Sequence, residues 1–147
     1  MTDTLNERDL EAVRDVISAS RLRSIEYYEI SARRYEDSLE PDEQMDGHVN
    51  IDVMQRVTET GFGIRLNARV IVPQGEASAS VAAEYDLDEE VSPKSRTLQL
   101  FANEVAVMTI FPYVREAIST CTARVFGRPL NLPVVERGEI TMDVDDE

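Results

Sequence analysis

The sequence contains one cysteine, one histidine and no tryptophan among 147 residues. Cys121 has no cysteine partner for an internal disulfide, and neither Cys121 nor His48 has the companion ligands of a zinc site. His48 also lacks the nucleophile and orienting group of a catalytic dyad. We therefore expect no metal site, no cofactor and no enzymatic activity.

Long apolar runs are also missing. No stretch approaches the ~20 apolar residues that span a bilayer. The first residues, Met1 to Arg14, lack the basic and then apolar order of a secretory signal. This predicts a cytoplasmic protein without direct membrane insertion.

Cations are scarce: 15 Lys and Arg face 29 Asp and Glu, giving a formal net charge of -14. Nucleic-acid binding draws much of its affinity from clustered cations, so nucleic acid is not expected as a partner. The same charge keeps a protein with exposed apolar surface dispersed in solution.

The beginning of the chain predicts a helix and then a strand. Residues Asn6 to Ser20 repeat Leu10, Val13 and Ile17 at helical spacing, with Asn6 as N-cap. From Leu22 to Tyr35 the pattern is rich in β-formers, and its phase slips at Tyr27-Tyr28, which indicates a bulge or a strand with apolar groups on both faces.

Three further strands follow an exposed loop predicted from Glu36 to Gly47. The second strand is expected from Val49 to Thr58. Strict alternation from Phe62 to Val72 predicts a half-buried third strand, and alternation resumes after Pro73-Gln74-Gly75 and runs to Leu87. Four successive strands indicate an antiparallel sheet.

The period changes again towards the C-terminus, where apolar residues recur at helical spacing from Leu98 to Met108 and onward to Arg124. Pro112 predicts a kink or restart near Phe111, and Gly127 predicts the C-cap. The expected fold is one α+β domain over residues 1–147. It has an N-terminal helical extension at 1–20 and a short acidic tail at 136–147, whose end, Asp143 to Glu147, is expected to be solvated.

The helical region contains Ile110-Phe111-Pro112-Tyr113-Val114-Arg115-Glu116-Ala117-Ile118-Ser119 and then Arg124, Gly127 and Pro129-Leu130-Asn131-Leu132-Pro133. This stretch resembles the signature region of the SecB family of export chaperones. There a Leu-Phe-Pro-Tyr-Ala-Arg-Glu phrase leads to a Pro-Leu-x-Leu-x-Pro stretch.

The resemblance implies a SecB-like four-stranded antiparallel sheet packed with a long kinked helix, assembled as a homotetramer (dimer of dimers). It also implies an ATP-independent holdase that binds unfolded or partly folded polypeptides in apolar grooves and passes them to the motor SecA. No nucleotide-binding glycine loop follows Gly61-Phe62-Gly63, in agreement with this.

The resemblance also implies partner contacts. Glu29 and Glu84 match acidic positions that face SecA, whereas Arg33 reverses the charge of a third position. After the motif only Glu136 to Glu147 remain, where SecB continues into an amphipathic helix and a tail that meets SecA. The N-terminal helix resembles the SecB-like chaperones of toxin-antitoxin pairs. Export preproteins and an antitoxin therefore both remain candidate clients.

Flexible and aromatic side chains suit a groove that accepts many sequences. The candidates for client binding are Met54, Phe62, Phe101, Met108 and Phe111. The alternative is that each fills the core or a subunit interface. Within the motif, Phe111, Pro112 and Tyr113 are expected to shape the helix and subunit packing, and Arg115 and Glu116 to form an interchain ion pair or to lie in solvent.

A second hypothesis belongs to a different class. A non-catalytic adaptor with the same fold would bind one folded partner through its acidic face, with strongly salt-dependent affinity. The run of Asp86, Asp88, Glu89 and Glu90 lacks the glycine turn and spacing of a calcium loop, and is interpreted as a solvated strand end.

Overall fold

A four-stranded antiparallel sheet with helices on one face forms the body of the protein. The computed structural model describes residues 5–36, 47–133, 136 and 138–146. The elements are α1 (Glu7–Ala19), β1 (Ser20–Arg34), β2 (His48–Val57), β3 (Gly61–Val72), β4 (Gly75–Leu87), α2 (Ser95–Phe101), a π-helical segment (Ala102–Ala106) and α3 (Val107–Phe126). Residues 37–46 of the predicted loop lie outside the described residues.

The strands lie in the order β1-β4-β3-β2, so β1 and β2 form the two edges. Leu66 of β3 lies opposite Val53 of β2 and Val81 of β4, and every pairing is antiparallel. The predicted α+β fold with four antiparallel strands is confirmed.

The predicted phase slip in β1 is a real irregularity. The register against β4 shifts between Tyr27 and Glu29, and again between Leu22 and Ser24. An extra residue at such a point changes which face of the sheet receives the following side chains. The bulge therefore puts Tyr27 and Ile30, three residues apart, on the same face of the sheet, opposite Val81 and Ala79.

Alternation in β3 builds the core. Its even-numbered residues from Phe62 to Val72 are all buried against the helices, as predicted. The ring of Phe62 stacks on that of Tyr85 at 4.9 Å between centroids, and Phe101 meets both rings edge-on. We call this helix-covered side the inner face, and the opposite side the outer face.

Helix α1 begins as predicted, because the Asn6 side-chain oxygen accepts a hydrogen bond from the Asp9 backbone N–H at 2.8 Å. Of the three apolar residues at helical spacing only Val13 is buried. Leu10 and Ile17 are exposed, and Asp9 and Val16 complete the buried face instead. Both sets follow helical spacing. The buried set contains a carboxylate, which an apolar pattern does not count.

The helical region continues through Pro112 and has an irregular turn before it. Helix α3 runs from Val107 to Phe126 with Pro112 inside it, so of the two predicted outcomes, a kink or a restart, the helix does not restart near Phe111. The irregular turn is the π-helical segment, where the Val107 N–H bonds to the Ala102 carbonyl five residues back. Gly127 ends the helix with φ 81°, as expected for its C-cap role.

The C-terminal residues cover the helices. Ile140, Met142 and Val144 pack against the core, and side chains of α2 and the π segment bond to the backbone beside them. The acidic side chains Asp143 and Asp145 are exposed, as expected, but the backbone of Asp145 is bound by Gln99, so this part of the tail is attached to the body. No described helix combines the length and hydropathy needed to cross a membrane.

Candidate functional site

The five predicted client-binding residues do not form one surface. Phe62, Phe101 and Phe111 are at most 4% exposed and fill the core, which was the alternative interpretation for them. Met54 and Met108 are 52% and 39% exposed. Only these two side chains are presented to solvent.

Met54 lies on the outer face, opposite Arg65 in the register of β2 and β3. Its sulfur accepts a hydrogen bond from the Asn67 side-chain amide at 3.1 Å. The Tyr28 ring lies beside it and stacks under the Arg65 guanidinium, whose carbon is 4.2 Å from the ring centroid. These groups line a shallow pocket of about 130 Å³.

The inner face of β2 carries an apolar surface whose members were not among the predicted client-binding residues. Its members are Val49, Ile51, Val53 and Val57, which we call the β2 stripe. The register places each of them opposite a buried β3 residue, yet Val49 is 45% and Val57 64% exposed. The sheet extends beyond its helical cover on this side, so the stripe is half open.

A cleft of about 780 Å³ adjoins the end of the stripe. Val57, Leu87, Val91 and Leu98 contribute apolar walls, and the turn before β3 and the connection to α2 contribute polar ones. Because β2 is an edge strand, its outward backbone groups have no neighbouring strand within the described chain. Apolar side chains and a free strand edge thus lie together.

Gln55 links the β2 stripe to the helices. Its side-chain amide donates to the Ser95 hydroxyl oxygen at 2.9 Å, and the same hydroxyl accepts from Gln99 at 3.3 Å. The Gln55 side-chain oxygen is buried and has no hydrogen-bond partner among the described residues. The inner face of β2 is therefore continuous with a polar row on α2.

The two predicted SecA-type positions share the outer face but differ in exposure. Glu29 is exposed on β1. Glu84 is 3% exposed, packs over Gly63 and pairs with Arg56 at 3.2 Å. Of the two, only Glu29 is exposed and so accessible to a partner.

Arg33, where the charge is reversed, belongs to an ion-pair cluster. Its guanidinium lies 3.1 Å from one Glu76 oxygen, and that of Arg69 lies 2.8 Å from the other. The Arg69 hydrogen bond is the main cause that lowers the pKa of Glu76 below its ordinary value. The outer face is therefore a mixed field of paired charges at this end.

The residues of the family motif differ in exposure and in their contacts. Phe111 enters the core, while Pro112 and Tyr113 are exposed. Arg115 donates to the Leu132 carbonyl at 3.0 Å, and Glu116 accepts from the Thr120 hydroxyl at 2.8 Å. Arg115 thereby attaches the segment after α3 to the helix.

A second apolar surface lies along β1. Leu22, Tyr27 and Ile30 are exposed on the inner side of this edge strand. Loss of contact with water is the main cause that raises the pKa of Tyr27, and the nearby Glu116 and Tyr113 of α3 add to it. Because Tyr113 lies near Tyr27, β1 and α3 contribute to one aromatic patch.

The described residues contain no group of three or more side chains suited to hold a metal ion. His48 is exposed at the start of β2.

Comparison with known proteins places this geometry. No family model matches the chain. The chain is 29% identical over 141 residues to the SecB-like chaperone SmegB of Mycolicibacterium smegmatis (strain ATCC 700084 / mc(2)155), covering 92% of each. The structure matches the Mycobacterium tuberculosis Rv1957 SecB-like chaperone, solved in complex with a ChAD peptide from the Rv1956 HigA1 antitoxin. That match has a TM-score of 0.75 and 18% identity, and covers 86% of this chain and 98% of the other.

The resemblance to the SecB family and the SecB-like fold are both confirmed. The relatives are chaperones by name, which supports a chaperone role for the chain.

Proposed function

We propose that the protein is an ATP-independent chaperone that holds non-native polypeptide on the β2 stripe. The observation that carries the proposal is the half-open apolar surface of Val49, Ile51, Val53 and Val57 on a free sheet edge. The SecB-like chaperone SmegB, similar over 92% of the chain, supports the same role.

The mechanism needs no chemical step. An extended client segment adds to the β2 edge through backbone hydrogen bonds, which ask for no particular sequence. Its apolar side chains cover the stripe and the adjoining cleft at about 25 cal/mol per Å² of apolar area buried, less the cost of ordering the segment. Binding is therefore broad, and it is lost when the client buries its own apolar residues.

An antitoxin is the client class that the neighbours favour, because the similar Rv1957 structure contains an antitoxin peptide. Export is the second candidate, and it requires docking to a SecA-type motor. Of the two acidic positions implied for that contact, Glu84 is engaged with Arg56 and buried, and only Glu29 is exposed. We therefore place the antitoxin role first, in the cytoplasm.

Self-association is proposed at the opposite edge. The exposed aromatic and aliphatic residues of β1 form a patch together with Tyr113. This patch lies beside the free edge of β1, which is suited to pairing with a second copy in a two-fold arrangement. The resemblance then implies that two such dimers form a homotetramer.

The adaptor hypothesis draws less support. Its docking surface would be the outer face, where Glu76, Glu84 and Asp86 each lie within ion-pair distance of an arginine. Those pairs leave a mixed surface, whereas steering by a single sign of charge needs unpaired acids.

Two lysine variants separate the functions of the two edges. We expect Val57→Lys to keep the oligomeric mass seen by light scattering but to weaken suppression of client aggregation after dilution from denaturant. Ile30→Lys should instead lower the mass. A wild-type protein that ignores unfolded clients would refute the chaperone proposal, and equal capture by wild type and Val57→Lys would remove the β2 stripe from it.

A further inference from the structure

One face of the α2 and π-helical region binds the backbone of residues 142 and 145, in a stretch of the chain's own C-terminus that forms neither a helix nor a strand. The Asn103 side chain accepts from the Met142 N–H at 2.8 Å and donates to the Met142 carbonyl at 3.1 Å. Gln99 accepts from the Asp145 N–H at 2.6 Å, and Arg96 donates to the Asp145 carbonyl at 2.7 Å. We call Arg96, Gln99 and Asn103 the backbone clamp.

The clamp residues are spaced three and four apart, so they form a single row along the helix. A side-chain amide offers one donor and one acceptor, as a residue of a neighbouring strand does. Asn103 therefore makes the same two hydrogen bonds to the backbone of Met142 that a residue of a neighbouring β-strand would make. The backbone contacts do not depend on side-chain identity, whereas Gln99 also donates to the Asp145 carboxylate at 3.0 Å and so favours an acceptor side chain at that position.

The clamped segment meets the core in an alternating pattern. Ile140, Met142 and Val144 are partly buried and pack on the core, while Thr141 and Asp143 are exposed. An extended chain with apolar residues at every second position satisfies this pattern. The segment thus occupies its place as a bound peptide would.

The clamp is fixed in advance and adjoins the proposed client surface. Arg96 is held by two contacts to Asp9 of α1, at 3.0 and 3.3 Å. Gln99 shares the Ser95 hydroxyl with Gln55 of β2. The Ser95 hydroxyl therefore joins Gln55, on the inner face of β2, to Gln99 of the clamp. An extended chain that continues from the β2 stripe would reach the clamp at this point.

We infer that the backbone clamp is a second binding groove for extended polypeptide with apolar residues at alternate positions, which residues 140–145 fill in cis. The identity of the occupant in trans, a non-native client segment, rests on the proposed function. The groove itself rests on the clamp contacts alone.

Occupation in cis predicts competition. A tethered segment has an effective concentration on the order of millimolar, so a free peptide at micromolar concentration is largely excluded from the wild-type protein. Releasing the segment should strengthen apparent binding of the free peptide by at least about tenfold.

The experiment uses full-length protein and a fluorescent peptide with the sequence of residues 138–146, followed by anisotropy. The release variant, Ile140→Ser with Met142→Ser, weakens the cis segment and keeps the clamp. The matched variant adds Gln99→Ala and Asn103→Ala, and so releases the segment but removes the clamp. We expect peptide binding by the release variant at least about tenfold tighter than by wild type, and its loss in the matched variant.

A second route to release leaves the core side chains intact. Asp145→Pro removes the backbone N–H that donates to the Gln99 side-chain oxygen. It should tighten peptide binding as the serine variant does, and it serves as the test if the serine variant fails to fold. A control peptide carrying serine in place of its three apolar residues should not bind. If neither release variant binds more peptide than wild type, the segment is only part of the fold and the inference is refuted.

The two proposals fail separately. Loss of peptide binding alone leaves client capture at the β2 stripe standing. A wild-type protein that holds no client, combined with peptide binding by the release variant, would keep the groove and refute the chaperone role.

Discussion

Replacing Asp9 by asparagine tests whether α1 is attached to α2 by a buried charge pair. The Asp9 carboxylate takes two contacts from Arg96, at 3.0 and 3.3 Å, and its side chain is 8% exposed against 25% for Arg96. Asparagine keeps the shape but removes the charge, which leaves Arg96 facing a neutral group.

The size of the effect follows from burial. Removing one partner of a fully buried pair costs about 3–5 kcal/mol. Because Arg96 keeps a quarter of its exposure, water compensates part of that loss. We expect the free energy of unfolding to fall by about 2 kcal/mol, which corresponds to a melting temperature lower by about 4–8 °C for a chain of this length.

The assay is urea unfolding followed by circular dichroism at one fixed protein concentration. Asp15→Asn is the matched control, since Asp15 is exposed on the same helix and its replacement should change stability by less than about 0.5 kcal/mol. Asp9→Leu combined with Arg96→Met should lose less than the sum of the two single changes. Equal effects of Asp9→Asn and Asp15→Asn would refute the buried pair.

Three further changes probe other contacts of the described chain. Thr122→Val keeps the side-chain shape but removes the oxygen that accepts from the Leu130 N–H at 2.8 Å. The free energy of unfolding should therefore fall by about 1–2 kcal/mol, whereas Thr122→Ser should keep most of the wild-type value. An unchanged urea midpoint for Thr122→Val would contradict this. Because Arg69 lowers the pKa of Glu76, the carboxylate stabilises the fold above pH 4.5, its ordinary pKa, and that contribution is lost as the pH falls through the lowered value. Glu76→Gln should therefore be less stable than wild type at pH 7, with the difference narrowing in acid, and a difference independent of pH would refute the assignment. Burial raises the pKa of Cys121, so iodoacetamide should label it more slowly at pH 7.5 than in urea-unfolded protein, and equal rates would contradict that environment.

Local patterns predicted the sheet because each signal depends on near neighbours. Alternation from Phe62 to Val72 needs only one buried face, and Gly127 needs only a left-handed C-cap. The bulge at Tyr27-Tyr28 was readable because a period of two cannot place Tyr27 and Ile30, three residues apart, on one face.

The candidate site was harder to predict, because periodicity finds the face that leaves water but not how far the helices cover it. Phe62 and Val57 are opposite each other on one face, yet the first is 1% and the second 64% exposed. That difference arises from where the helical layer ends. The clamp was also unreadable, since Gln99 and Asn103 lie 39 or more residues before the backbone that they bind.

The two sheet edges differ in regularity, and this difference supports the roles proposed for them. β1 has 15 residues and two register shifts against β4, and such bulges interrupt regular pairing with an incoming strand. β2 pairs with β3 over ten consecutive residues without a shift, so its outer edge is an unbroken template for an extended chain. A client that adds a strand therefore fits β2, where the apolar stripe and the clamp adjoin it. The bulged, tyrosine-rich β1 edge is suited to one defined contact with another copy, because only a surface of matching irregularity completes it.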